Sequence, residues 1–387
     1  MGYIKYTSNE FEKLEEDGQI NIMALFGNGI DIQLMEYLGS PYRTSYVNFY
    51  NYLCYKNFNE DNIIFKKMTE DKQENDKSGG CKANWSDFEN SLIEIFNKGP
   101  LTKGERLIND FNQFQIEFSN FLNEIITPIM LAELGDCSTS KGLAINSYTQ
   151  FLGDLDEINF NKLEFPSVLG HYNLFNWEIL NFNYTSMLDN VLILDKEQYD
   201  PHPWKNADRQ IFFRVNPNNY KSSNHTWNSS TSFSAYLMTN ITHPHGYQNV
   251  PKSMLFGFDN PKQITSSDYD QEIAKKFLKP YWAQNDKKYK HYFNDTRLFI
   301  IYGLSLGRTD FWWWNNILCS LLQTNAELII YNYNNNEETD EETINRFIEV
   351  ASDPTINDEE RKKLHGKIAV VQYDKETSLK AFKLDNK

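Results

Sequence analysis

Short, unbroken apolar runs alternate along this chain with longer stretches in which apolar residues recur every three or four positions. The runs read as buried strands at residues 22–26, 178–182, 254–256, 298–302, 328–333 and 368–372. Amphipathic helices are predicted at 309–322, 340–350 and 358–364, filling the crossovers between later strands. That alternation predicts a mostly parallel, Rossmann-like α/β sheet. Its core is expected from 1–49 and 176–387, with a helical insertion at 50–175. In the insertion, Leu107, Phe111, Phe114, Phe118, Phe121 and Ile125 follow helical spacing, and Pro128 is expected to kink or end that helix. The stripe reads as packed core, with an oligomer interface as the alternative. Residues 216–240, rich in Asn and Ser, read as a surface loop. Trp312, Trp313 and Trp314 would cover most of a helix circumference. At least one must then face the sheet, and another the insertion, a partner subunit or a ligand.

Five motifs fall at or near the predicted strand ends: Gly27-Asn28-Gly29-Ile30-Asp31, Asn181 to Thr185, His243-Pro244-His245-Gly246, Phe256 to Asp259, and Gly303 to Asp310. Ligands of open α/β sheets bind at the carboxyl ends of the strands, so Gly27, Asn183, His245 and Gly303 are expected to converge on one crevice. Gly27 and Gly29 permit a tight turn and close backbone approach, and a helix starting near Ile30 would present free N–H groups to a phosphate. An ordinary strand-to-helix turn explains the same residues, because Ile32 stands where a third glycine would complete the dinucleotide fingerprint. Asn183 offers both donor and acceptor to ribose hydroxyls. For Thr185 and Ser186, capping the next helix is the better local reading. Asp31 suits either a ribose hydroxyl or a helix cap. Asp259 suits either a pocket wall or the end of a turn before Pro261. Trp85 and Glu89 would share one helix face, which reads as packing beside a surface carboxylate.

Lys and Arg number 38 against 53 Asp and Glu, a formal charge of −15. Such a chain is expected to be repelled by nucleic acid and by anionic membranes. The basic stretches at 287–291 and 361–363 read as solvated surface. No signal peptide or membrane-spanning run is apparent. Cys54, Cys81, Cys137 and Cys319 are far apart and form no metal-binding pair, so free thiols in a cytoplasmic protein are expected and no metal site. Asn-x-Ser/Thr triplets such as the one at Asn228 read as chance. No G-x-x-x-x-G-K-[ST] motif is present, which argues against ordinary ATP or GTP hydrolysis.

The ordered set GNG-x-D, W-x-D-x-E (Trp85, Asp87, Glu89), N-F-N-Y-T, H-G, F-G-x-D and G-x-S-L-x(3)-D, with the segment at 41–50, resembles the AbiH family of bacteriophage abortive-infection proteins. That family is in turn similar to sirtuin-like domains, which bind NAD on a Rossmann-like sheet. The resemblance implies His245 as catalytic base and Asn183 to orient the nicotinamide ribose; Asp31 is a further catalytic candidate from its own motif. The resemblance also implies a nucleotide-facing set of Gly27, Gly29, Gly246, Gly303 and Ser305; Asn28, Thr185, Asp259 and Asp310, from the same motifs, are further candidates to face the nucleotide. His243 is the rival base two residues earlier. Asn28 and Thr185 depart from the sirtuin pattern, and a four-cysteine zinc module is missing, so the resemblance implies NAD cleavage rather than deacetylation. NAD is then substrate and no resident cofactor is expected. The effector reading implies a homo-oligomer and a phage-derived trigger. A nucleotide-binding sensor without chemistry is the reading from another class, and a hydrolase of some other nucleotide is the third.

Overall fold

The computed structural model describes residues 2–80, 85–98, 104–193, 211–221, 227–228, 230–266, 271–333, 338–352 and 356–384. Cys81 and Ser229 of the Asn228 triplet lie outside them.

Seven strands form one sheet: β1 (Gln19–Phe26), β2 (Asn173–Asn181), β3 (Ile211–Arg214), β4 (Ser232–Thr242), β5 (Leu298–Tyr302), β6 (Glu327–Tyr333) and β7 (Ile368–Tyr373), in the order β3-β4-β2-β1-β5-β6-β7. Every pairing is parallel except that of the edge strand β3 with β4. The chain leaves β1 toward β2 on one side and later adds β5, β6 and β7 on the other. The order therefore reverses between β1 and β5, where Phe26 pairs with both Asn181 and Tyr302.

β1, β5, β6 and β7 are buried almost throughout because helices cover both faces. Ile22, Ala24 and Phe26 point into one core with α1 (Asn28–Tyr37). Met23 and Leu25 point into the other, with α10 (Phe311–Gln323), α11 (Asp340–Ala351) and α12 (Asp358–His365). Reciprocal capping boxes, Thr339 with Glu342 and Asn357 with Glu360, start α11 and α12.

Between β1 and β2 the further helices are α2 (Tyr46–Tyr55), α3 (Ile63–Lys77), α4 (Phe88–Asn97), α5 (Gly104–Ile125), α6 (Pro128–Lys141), α7 (Leu143–Gln150) and α8 (Glu157–Lys162), and α9 (Met187–Leu192) follows β2. Their apolar faces join the core of β1, and Phe114, Phe118 and Phe121 of α5 are buried in it. Phe118 meets Tyr184 and Phe256 edge-on at 5.5 and 5.3 Å. The stripe is thus core of this chain. Pro128 opens α6 behind the Thr127 cap, after α5 has ended at Ile125.

Three expectations are corrected. Residues 254–256 form no strand; they follow a short 3-10 turn and pack into the α5 core. Residues 232–240, read as loop, lie within β4, whose pairing with β2 outweighs its Ser and Asn content. Trp85 and Glu89 do not share a helix face, because α4 begins at Phe88 behind the Asp87 cap.

Candidate functional site

The site begins where β1 and β5 end side by side. Gly27 N–H donates to the Tyr302 carbonyl and Gly29 N–H to the Gly303 carbonyl, both at 2.9 Å. A Cβ on Gly29 would lie 2.7 Å from Gly303 Cα. Gly303 itself has φ +66°, a conformation glycine adopts without strain. The close approach expected of these glycines is therefore between two loops of the protein. Asn28 is braced from the side, its Oδ1 accepting from the Thr44 hydroxyl at 2.5 Å.

Over this junction opens a cleft of about 1200 Å³. Asn28, Gly29, Ile32 and Gln33 form one wall and Gly303, Leu304 and Ser305 another. The ends of β6 and β7 supply Tyr331, Asn332, Tyr333 and Tyr373, and α11 supplies Glu342 and Arg346. Arg346 ties these walls together. It donates to both oxygens of Glu338 at 2.9 Å, to the Ser305 carbonyl at 3.3 Å and to Asn332 Oδ1 at 3.3 Å.

Behind the glycine turn lies a buried polar layer. Asn183 Nδ2 donates to the Gly27 carbonyl at 3.1 Å. Asp31, in the first turn of α1, accepts from the Thr185 hydroxyl at 2.6 Å, while its other oxygen has no hydrogen-bond partner among the described residues. It caps no helix, and burial raises its carboxyl to about 7 despite the Thr185 bond. His243 sits with Nδ1 2.9 Å from the Asn183 carbonyl and Nε2 3.1 Å from both oxygens of Asp189.

Five segments distant in sequence meet in a second, buried cluster. Lys279 Nζ stands 2.9 Å from Asp310 Oδ1 and 3.3 Å from Glu89 Oε1. Glu89 also accepts from Gly257 N–H at 2.9 Å, and Asp259 accepts from Trp312 N–H at 3.0 Å. His245 Nε2 lies 3.5 Å from Asp310 Oδ1, beyond hydrogen-bond contact, with Phe182 edge-on to its ring at 4.8 Å. Gly246 after it has φ +90°, and a Cβ there would strike the Ser253 carbonyl, so the glycine serves the turn. Burial and then the Lys279 ammonium push the His245 imidazole down to about 3, so the ring is neutral near pH 7. Burial lifts Glu89 to about 7 against the pull of Lys279, and lifts Asp259 well above the carboxylate range. The Lys279 charge holds Asp310 ionised. Within this cluster, His245 Nε2 and Asp259 Oδ1 have no hydrogen-bond partner among the described residues.

Of the residues singled out in the sequence, Asn28, Gly29, Gly303 and Ser305 line the cleft. Gly27, Asp31, Asn183 and Thr185 lie in the layer behind it. His245, Asp259 and Asp310 belong to the second cluster. Glu89, read as a surface carboxylate, is buried, and Lys279 carried no sequence signal at all. The tyrosines at the ends of β6 and β7 could have been found by extending the strand-end argument to those strands. Trp313 and Trp314 are fully buried inside one chain, and the half-buried Trp312 packs beside them. Among the described residues, no group of three or more His, Cys, Asp or Glu is arranged to hold a metal, and no helix is long and apolar enough to cross a membrane. Cys54, Cys137 and Cys319 are free thiols.

A family model described as bacteriophage abortive infection AbiH matches residues 23–333, a span that contains all five motifs, the glycine junction and the buried cluster. No curated protein matches the chain.

Proposed function

The chain belongs to the AbiH family of bacteriophage abortive infection, and on that premise we propose that it binds NAD or a closely related dinucleotide and hydrolyses its nicotinamide–ribose bond. One observation carries the reading: the large cleft opens at the carboxyl ends of the strands, beside the point between β1 and β5 where strand order reverses. That is where open α/β sheets take nucleotides. The adenosine end would lie against Tyr333 and Tyr373, with the diphosphate toward Gly303, Ser305 and Arg346. The nicotinamide ribose would reach toward Asn183 and the buried cluster.

In hydrolysis, a water oxygen bonds to the ribose anomeric carbon as its bond to the nicotinamide nitrogen breaks. The electron pair leaves with nicotinamide, and the water proton passes to a base. The neutral His245 imidazole, set off from Asp310 and sandwiched near Phe182 and Tyr184, is the proposed acceptor. As an abortive-infection effector the protein would act in the cytoplasm, as a homo-oligomer, on a phage-derived trigger.

A second reading rests on the burial of His245. Its ring does not line the cleft, so a resting protein that binds nucleotide without turnover, a sensor, fits the same geometry. Calorimetry with NAD, paired with nicotinamide release with and without extract of infected cells, tests both. Binding with release supports the hydrolase. Binding without release under any condition supports the sensor, and absence of binding rejects both.

A further inference from the structure

We infer that α5 of the helical insertion positions His245, through Gln115 and Ser119, which hold the loop that carries it. This rests on the hydrolase reading above. The loop leaves the end of β4 and passes through the short 3-10 turn Pro251–Ser253. α5 packs on the core through Leu107, Phe114, Phe118 and Phe121, yet Gln115 and Ser119 on it are buried as well. Spaced four apart with Asn123, they form a polar row along one side of the helix. Gln115 Nε2 donates to the Met254 carbonyl and the Ser119 hydroxyl to the Gln248 carbonyl, both at 2.5 Å. At the end of the row, Asn123 Oδ1 accepts from Gln248 Nε2 at 3.0 Å. An apolar side chain would fill the same space without the cost of burying a polar group. What the row adds is direction, because it fixes two carbonyls of a loop that lies outside the sheet.

Both fixed points bear on His245. Leu255, next to Met254, donates its N–H to the His245 carbonyl at 2.8 Å. Gln248, three residues after His245, donates its N–H to the Tyr184 carbonyl at 2.8 Å. The Tyr184 hydroxyl donates in turn to the Leu255 carbonyl at 2.9 Å, and its ring lies 6.4 Å from the His245 ring. The loop is thus held between α5 and the segment after β2, and a shift at Met254 or Gln248 carries the imidazole with it. A misplacement of about 1 Å in a reacting group costs on the order of 10²-fold in rate. Neither Gln115 nor Ser119 lines the cleft, so each is a positioning residue.

The test pairs hydrogen exchange with kinetics on the full-length protein for Ser119→Ala and Gln115→Met. Each variant leaves a buried carbonyl of the loop unanswered. The amides between His245 and Leu255 are expected to exchange roughly tenfold faster or more, with those of the sheet unchanged. Nicotinamide release, measured with and without extract of infected cells, should fall about tenfold to a hundredfold in kcat. KM should change by less than about twofold, because the cleft is untouched. In a His245→Ala background neither variant should lower the rate further, a result that a general loss of structure would not give. Unchanged loop exchange in both variants overturns the inference and leaves the hydrolase reading standing. Faster exchange with an unchanged kcat also overturns it, since the position of the loop would then not matter to turnover. A wild-type protein that releases no nicotinamide under any condition removes the reading on which the inference stands.

Discussion

Lys279 Nζ, on a buried side chain, lies 2.9 Å from Oδ1 of the half-buried Asp310. Lys279 comes from a short helix, Lys279–Ala283, and Asp310 from the turn before α10, so the pair ties the loop after β5 to the segment that covers it. Removing one partner of a buried pair leaves the other charge without compensation. Lys279→Met should destabilise the protein by about 3–5 kcal/mol, because Asp310, Glu89 and Asp259 would all lose the cation that faces them. Urea unfolding read by Trp fluorescence measures it. A loss below about 1 kcal/mol would mean that the cluster is hydrated and the pair weak.

Gly29→Ala should cost about 1–3 kcal/mol and weaken any cleft ligand. The added methyl meets backbone, Gly303 Cα at 2.7 Å, rather than a side chain that can rotate away. Gly27→Ala meets the Gly303 carbonyl oxygen at the same 2.7 Å and the Leu304 side chain more closely besides, and should be at least as costly. Paired thermal melts of the two variants decide the order.

Asp31 gives the fold a defined pH dependence. Its folded carboxyl titrates near 7, raised by burial, against an ordinary value of 3.8. Its stabilising contribution is therefore fully present below about pH 4 and is lost as pH rises through 7. Asp31→Asn should gain stability relative to wild type between pH 5 and 8, on the order of 2–4 kcal/mol. A difference that stays flat across this range would show Asp31 to be solvated or otherwise compensated.

If NAD is turned over, His245→Ala should lower the rate by about 10²–10⁴-fold with an unchanged melting curve. Burial holds His245 near 3, so it should contribute no step to the rate profile around pH 6.5. A step close to 7 would belong to Glu89 or Asp31, and Glu89→Gln should remove it if it belongs to Glu89. A step at 6.5 that disappears in His245→Ala would place the imidazole in water during turnover.

Trp313→Ala should cost about 3–5 kcal/mol, since its ring is buried against Phe182 and Tyr289 at 5.0 and 5.1 Å. Light scattering should show no change in mass between this variant and the wild type. A change of mass alone, with stability retained, would return this helix to the role of an interface.

The apolar pattern determined β1, β5, β6 and β7 to within a few residues, because a parallel strand covered on both faces must be apolar throughout and is bounded by polar loops. It also determined α5, α11 and α12, whose stripes and caps are properties of adjacent residues. The glycines and polar residues read at strand ends lie at the carboxyl edge of the sheet, where the cleft opens. What only the tertiary structure decided was which of those residues meet. β4 became a strand through pairing with β2 and β3, although its own Ser and Asn residues favour loop. Gly29 was answered by Gly303 rather than by open space. Glu89 was carried into the interior by Lys279 and Gly257, and His245 was set apart from the cleft that it was expected to line. Contacts between residues so distant in sequence leave no periodicity in the chain, since their energy depends on burial and partnership that exist only once the sheet and its helices have closed.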